Sequence, residues 1–228
     1  ITGELDPDIV LVNNIEEGDR TFLGKLLLKI DSLKPIVIGI DVLLDKEKDS
    51  KQDSILIAAL KKINNDILVY SINQNEKYSH SRPEFTSLVD EEGFLKYEKT
   101  FGLVSNMTPI IKLENEIQES FALKIVKHWK INFLPNINVN QTIPIDYTRT
   151  IKQILHIDGT ELLSRNIDDF DMNNKVILLG YTGPGSEDKY STPLRFLEGE
   201  KDHDEPDTYG LIIIANEIRT LLKYEKRD

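Results

Sequence analysis

Three short apolar runs alternate with two stretches of helical spacing within residues 8–72, and few architectures accommodate that alternation. Asp8-Ile9-Val10-Leu11-Val12-Asn13-Asn14 has the length and branched composition of a buried strand, placed after an Asp6-Pro7 breaker. Thr21 then offers a hydroxyl as the N-cap of a helix carrying Leu23, Leu26, Leu27 and Ile30, which must end before Pro35. Ile36 to Ile40 forms a second strand closed by Asp41. The charged stretch Asp45 to Asp53 reads as a loop whose last residue caps a second helix, with Ile55, Leu56, Ala59, Leu60 and Ile63 on one face. Ile67 to Ile72 is a third strand. Such a β-α-β-α-β series implies right-handed crossovers between parallel strands. The expected fold is therefore α/β, a three-layer sandwich with a mainly parallel central sheet flanked by helices.

The same signal returns late in the chain. Lys175-Val176-Ile177-Leu178-Leu179-Gly180 reads as a strand buried on both faces that runs into Gly183, Pro184 and Gly185. Ligands of open parallel sheets sit beyond the carboxyl ends of the strands, so the bend from Gly180 to Asp188 is a natural rim for a pocket. It also reads as a tight turn with positive-φ glycines. It is not a nucleotide loop: the Gly-Lys-Ser/Thr of a P-loop is missing, and Asp188 stands where a dinucleotide fingerprint has its third glycine.

Between these regions the pattern weakens. Residues 73–109 read as loop punctuation, including Asp90-Glu91-Glu92-Gly93, with one short strand over Thr100 to Val104. Ile117, Phe121, Ala122, Ile125, Val126 and Trp129 mark an amphipathic helix. Ile143 to Tyr147 reads as a strand that Pro144 restricts to a sheet edge or end. A short helix is expected from Asp158 to Leu163. Tyr209 to Tyr224 forms the last helix, with Leu211, Ile214, Ala215, Ile218, Leu221 and Leu222 on one face and Asn216 drawn into a buried polar network.

Composition narrows the function. With 228 residues and 39% hydrophobic side chains the chain suits one large domain or two small ones, and it is read as a single domain, residues 1–228. A net charge of -11 argues against nucleic acid, which is bound through clustered Lys and Arg. The absence of cysteine removes thiolate metal sites and Cys nucleophiles, and the 4 histidines show no metal spacing. Ser186 lacks the Gly-x-Ser-x-Gly elbow, so no catalytic constellation and no cofactor are expected. The acidic loop Glu198 to Asp207 reads as solvated, with a cation near His203 as the alternative. No apolar run approaches the roughly twenty residues of a membrane span. Ile1 is not a start methionine, which suggests a piece of a longer protein.

The ordered set of residues resembles the type-two CHASE domain, an extracytoplasmic sensory module of bacterial cyclases, histidine kinases and related receptors. The resemblance is carried by Asp19-Arg20 with Gly24, Ile38-Gly39-Ile40-Asp41, Asp53 with Leu56 and Ala59-Leu60, and Gly102-Leu103-Val104-Ser105-Asn106. It continues through Ser120-Phe121-Ala122-Leu123, Ile145-Asp146-Tyr147 and Lys175 to Gly180. It closes with Asp188, Thr192-Pro193 and Tyr209-Gly210 leading to Ala215-Asn216-Glu217-Ile218. Members often carry an Asp-x-Asp-Gly then Arg stretch after the Gly-Val-Asn segment, whereas Met107 to Glu114 has no Asp, Gly or Arg. The resemblance implies a receptor with membrane helices outside this chain, a periplasmic location, and a kinase or cyclase output domain elsewhere.

The candidate ligand-binding residues are Arg20, Asp41, Tyr181, Thr182 and Asp188. Arg20 is expected to pair with Asp41 or grip a ligand carboxylate. Asp41 and Asp188 are expected to hold a polar ligand or share a cation if their strands are neighbours. The ligand is an unidentified small molecule or ion. A metal-assisted hydrolase using Asp41 and Asp188, and a protein-interaction module such as a homodimer, are the alternatives.

Overall fold

The computed structural model describes residues 4–14, 19–73, 75–166, 171–186, 188–198 and 205–226. Along the chain the elements are β1 (Ile9–Asn13), α1 (Arg20–Ser32), β2 (Val37–Ile40), α2 (Ser50–Leu60), β3 (Asp66–Ile72), β4 (Tyr78–Ser79), α3 (Pro83–Thr86) and β5 (Glu91–Leu95). Then come β6 (Glu98–Thr100), β7 (Leu103–Met107), β8 (Ile110–Leu113), β9 (Glu116–Glu119), α4 (Phe121–Trp129), β10 (Ile143–Pro144), β11 (Leu155–Asp158) and α5 (Gly159–Ser164). The chain ends with β12 (Val176–Gly180), β13 (Lys189–Tyr190), α6 (Arg195–Glu198), β14 (Thr208–Tyr209) and α7 (Gly210–Leu221).

A seven-stranded sheet in the order β11-β1-β12-β2-β3-β4, with β5 also on β3, forms the middle layer. All its pairings are parallel except β3 with β4. The α/β expectation holds, and period-two alternation explains why. Val10, Val12, Ile38, Ile40, Ile177 and Leu179 face a core shared with α1 and α2, while Ile9, Leu11, Val37, Val176 and Leu178 face the core of α4 and α7. Strands buried on both faces need near-continuous apolar sequence, which is what β1 and β12 have. The strand β12 lies between β1 and β2, although of this sheet's strands it comes last in sequence.

Several local expectations are corrected. Asp19, not Thr21, caps α1: its carboxylate accepts from the amides of Thr21 (2.8 Å) and Phe22 (3.1 Å). Asp49, not Asp53, caps α2, accepting from Lys51 and Gln52, so the helix starts inside the stretch read as loop. The Asp90 to Gly93 segment leads into a parallel strand, β5, in which Gly93 has a backbone function. A Cβ there would lie 2.5 Å from the Cα of Phe121, at the seat of α4.

The span Thr100 to Val104 is two strands, turned by Phe101 and Gly102 at φ 51° and 82°. Ile117 belongs to β9 rather than to a helix and is 61% exposed. The helix α4 begins at Phe121, capped by Ser120, whose hydroxyl accepts from the Leu123 amide at 3.2 Å. Strand β10 lies at the edge of a three-stranded sheet, as Pro144 requires.

The helix α7 is buried along nearly its whole circumference, not on one face alone. The segment 130–154 covers its outer side, adding Phe133, Ile137, Ile145, Tyr147 and Ile154 to the same core. Asn216, wholly buried, ties the two together: its Oδ1 accepts from the amides of Thr148 and Arg149, and its Nδ2 donates to the Arg149 and Ile212 carbonyls. The expected buried polar network is there.

Candidate functional site

The carboxyl ends of β1, β12 and β2 lie side by side, and the backbone keeps them in register past the strands. The Asn14 amide donates to the Gly180 carbonyl at 2.8 Å and the Asp41 amide to the Leu179 carbonyl at 2.8 Å. Asn14, Tyr181 and Asp41 therefore leave the sheet as neighbours. Beyond them is a cavity of about 410 Å³, lined also by Arg20, Leu23, residues 42–46, Lys48 and Asp188. This volume is in the range of small-molecule sites, and its place at strand ends follows the rule for open parallel sheets.

The outer wall is the loop from Val42 to Asp49, held on both sides. The Ser81 hydroxyl accepts from the Leu44 amide at 2.9 Å, and the Leu44 carbonyl accepts from the Arg82 amide at 3.1 Å. Arg20 anchors the loop from below. Only 2% exposed, it pairs with Asp53, donates to the Lys46 carbonyl and lies 4.8 Å over the Phe85 ring. Its partner is thus Asp53, one turn into α2, and not Asp41. The reason is geometric: α1 and α2 pack together on one face of the sheet, which places Asp53 against the first turn of α1.

Four of the five candidate residues, Arg20, Asp41, Tyr181 and Asp188, line the cavity. Thr182 does not. Its amide donates to Asn13 Oδ1 at 2.9 Å and its hydroxyl is 2.7 Å from His156 Nε2, so it staples the exit of β12 to β1 and β11. The glycines of this bend are chosen for space: among the described residues the only glycine with positive φ is Gly102. A Cβ on Gly180 would lie 3.2 Å from Asp41 Cβ and 3.0 Å from Leu211, and one on Gly183 would enter the Tyr181 ring.

The inner wall is acidic. Burial pushes the Asp41 carboxyl up to about 7, with the charge of Asp188 adding to the shift. Behind Asp41 stands Glu217 of α7, 4% exposed and without a hydrogen bond or ion pair among the described residues. Burial, then the charges of Asp41 and Glu98, raise its carboxyl to about 8. The Tyr97 hydroxyl is buried without a hydrogen-bond partner among the described residues, and Asp41, Glu217, Tyr190 and Asp188 all add to the burial that raises it well above the usual phenol range. Tyr190 donates to Asp188, and both oxygens of Asp188 approach Gly210, the first residue of α7.

Asn14, Tyr97 and Glu217 are functional candidates that motif reading passes over. Glu217 had a signal, since it falls three residues after Ile214 and four before Leu221, on the apolar stripe. Asn14 and Tyr97 had none. Among the described residues no group of three or more Asp, Glu or His side chains is placed to hold a metal ion. The acidic loop near His203 lies largely outside the described residues.

The far end of α7 is fixed as firmly. Arg219 pairs with Asp6 and Asp8 at the start of the chain, with Nε 2.8 Å from Asp6 Oδ2, and Arg149 reaches the same oxygen at 3.1 Å. Asp6 is held below the usual carboxylate range: burial alone would raise it, but its hydrogen bonds with Arg219 and with the Asp8 and Ile9 amides prevail. The cavity and the paired chain ends therefore sit at opposite ends of one 12-residue helix.

No helix among the described residues is long and apolar enough to cross a membrane. Neither the curated proteins nor the solved structures contain a match to the chain. The model of one protein family, described as the CHASE2 domain, matches residues 14–228. The chain belongs to the CHASE2 family of extracellular sensory domains found in signal-transduction receptors.

Proposed function

We propose that this chain is the stimulus-sensing module of a bacterial transmembrane receptor and that the cavity at the strand ends is where it senses. In this reading the domain performs no catalysis. An unidentified small molecule or ion binds against Asp41, Tyr181 and Asp188, and membrane helices outside this chain carry the signal to an output domain. One observation supports it above the others: α7 begins against the cavity wall and ends clasped to the chain start. A 12-residue helix spans about 18 Å, so a change at Asp188 or Glu217 need travel no farther than one rigid rod to reach the chain ends. Each ligand-linked state must differ in affinity, since a ligand with equal affinity for both shifts nothing.

Arg20 supports the site without contacting ligand, because Asp53 and the Lys46 carbonyl already engage it. Thr182 is likewise a strut. The experiment is a thermal-shift screen of small molecules followed by hydrogen exchange. A compound that stabilises the wild type but not the Asp41→Asn, Tyr181→Ala double variant is expected to slow exchange in residues 210–221. Cavity binding with exchange in α7 unchanged would remove the relay.

A further inference from the structure

The polar atoms on the inner wall of the cavity are unequal in kind. Asn14, 3% exposed, belongs to the wall, and its Oδ1 meets no donor among the described residues. The Asp41 carboxylate has no hydrogen bond or ion pair among the described residues, and Asp188 stands beside it with its oxygens turned to the first turn of α7. A buried acceptor without a donor costs free energy that a ligand recovers by supplying one. Arg20, the buried cation of the lining, is spent on Asp53 and the Lys46 carbonyl, while Lys46 and Lys48 stand exposed at the mouth. We propose that the cavity binds an organic ammonium group, seated against the Asp41 carboxylate with Asn14 Oδ1 accepting one of its N–H donors.

Three features favour an organic ammonium over a bare metal ion. The cavity, at about 410 Å³, is far larger than an ion requires. The described residues offer no set of three acidic or histidine ligands to a metal. Tyr181 lines the cavity, and its aromatic ring suits an alkylammonium through cation–π contact. Among the described residues the groups that bear on Asp41 are Asp188 from the bend, Glu217 from α7, Tyr97 from the turn before β6 and Tyr190 from β13. Each of them is acidic or neutral. An ammonium thus brings Asp41 a counter-charge that none of these groups supplies, and because Asp41 bears on Glu217, its arrival is felt by α7.

This inference rests on the cavity reading above, and the test separates the two. Methylammonium, putrescine and spermidine are titrated by calorimetry into the 228-residue chain, with succinate and magnesium chloride as comparison probes. At least one amine is expected to bind at pH 8, at least tenfold more weakly at pH 6, and at least tenfold more weakly in Asp41→Asn and in Asn14→Ala. Amine binding equal in wild type and both variants would overturn the site. Succinate binding that Asp41→Asn or Tyr181→Ala alters, without amine binding, would overturn the ammonium and leave the cavity standing. Magnesium bound in place of every amine would do the same. No binding by any probe would count against the ammonium and the cavity together.

Discussion

Replacing Asp41 with Asn should stabilise the domain at alkaline pH, although the residue lines the cavity at the strand ends. The folded state holds the Asp41 proton up to about pH 7, against 3.8 for the ordinary side chain. A raised carboxyl means that the folded chain binds more protons than the unfolded one between those values, so stability falls as pH rises through them. At pH 5 the unfolded side chain is already ionised and the folded one is not. By pH 8.5 both are ionised, and the folded state carries the full cost of a charge in a poorly solvated wall. Two pH units at about 1.4 kcal/mol each set a ceiling near 2.7 kcal/mol for the change over this interval. Water in the cavity screens part of it, so about 1 to 2 kcal/mol is expected.

The assay is urea unfolding of wild type and Asp41→Asn at pH 5 and pH 8.5. The variant's advantage should grow by at least that amount with pH: Asp66, raised to about 7 at the other end of the sheet, is common to both proteins and cancels, while the part of the Glu217 shift that Asp41 causes adds to the growth. A difference that stays constant across the range would refute the reasoning.

Other substitutions test the supports of the site. Arg20→Ala leaves Asp53 buried with only the longer 3.4 Å contact to Arg82, and should cost about 3 kcal/mol in urea unfolding. It should also speed hydrogen exchange in residues 42–49, whose Lys46 carbonyl loses its donor. Asn216→Ala orphans the Thr148 and Arg149 amides against α7, and a loss of about 2 to 4 kcal/mol should appear in the denaturation midpoint. Gly93→Ala drives a methyl into the Phe121 backbone and should cost about 1 to 3 kcal/mol or lower expression of folded protein, measured by circular dichroism melting.

How far the chain could be read in advance follows from where its signals are local. The strands β1, β2, β3 and β12 are legible because burial on both faces demands runs such as Ile9-Val10-Leu11-Val12, which little else explains. The rim is legible from the same cause, since strand ends in a parallel sheet converge and bring Asp41, Tyr181 and Asp188 together. The edges are not. In β5 the sequence Glu91-Glu92-Gly93 looks like a turn, and only the seat of Phe121 shows why glycine is there. The hairpin between β8 and β9 turns on Glu114 and Asn115, both with positive φ, a role that sequence assigns to Asn or Gly far sooner than to Glu. Ion-pair partners fail for a related reason: Arg20 chose Asp53 over Asp41 through helix packing, which no spacing encodes.

The link between cavity and helix comes down to whether Asp41 and Glu217 feel each other. Carboxyl-carbon NMR titration of Glu217 in wild type and Asp41→Asn reads this without any ligand. A Glu217 that titrates near 8 in wild type and clearly lower in the variant is the predicted result. A Glu217 that titrates in the ordinary carboxylate range, or whose titration is the same in both proteins, would contradict it.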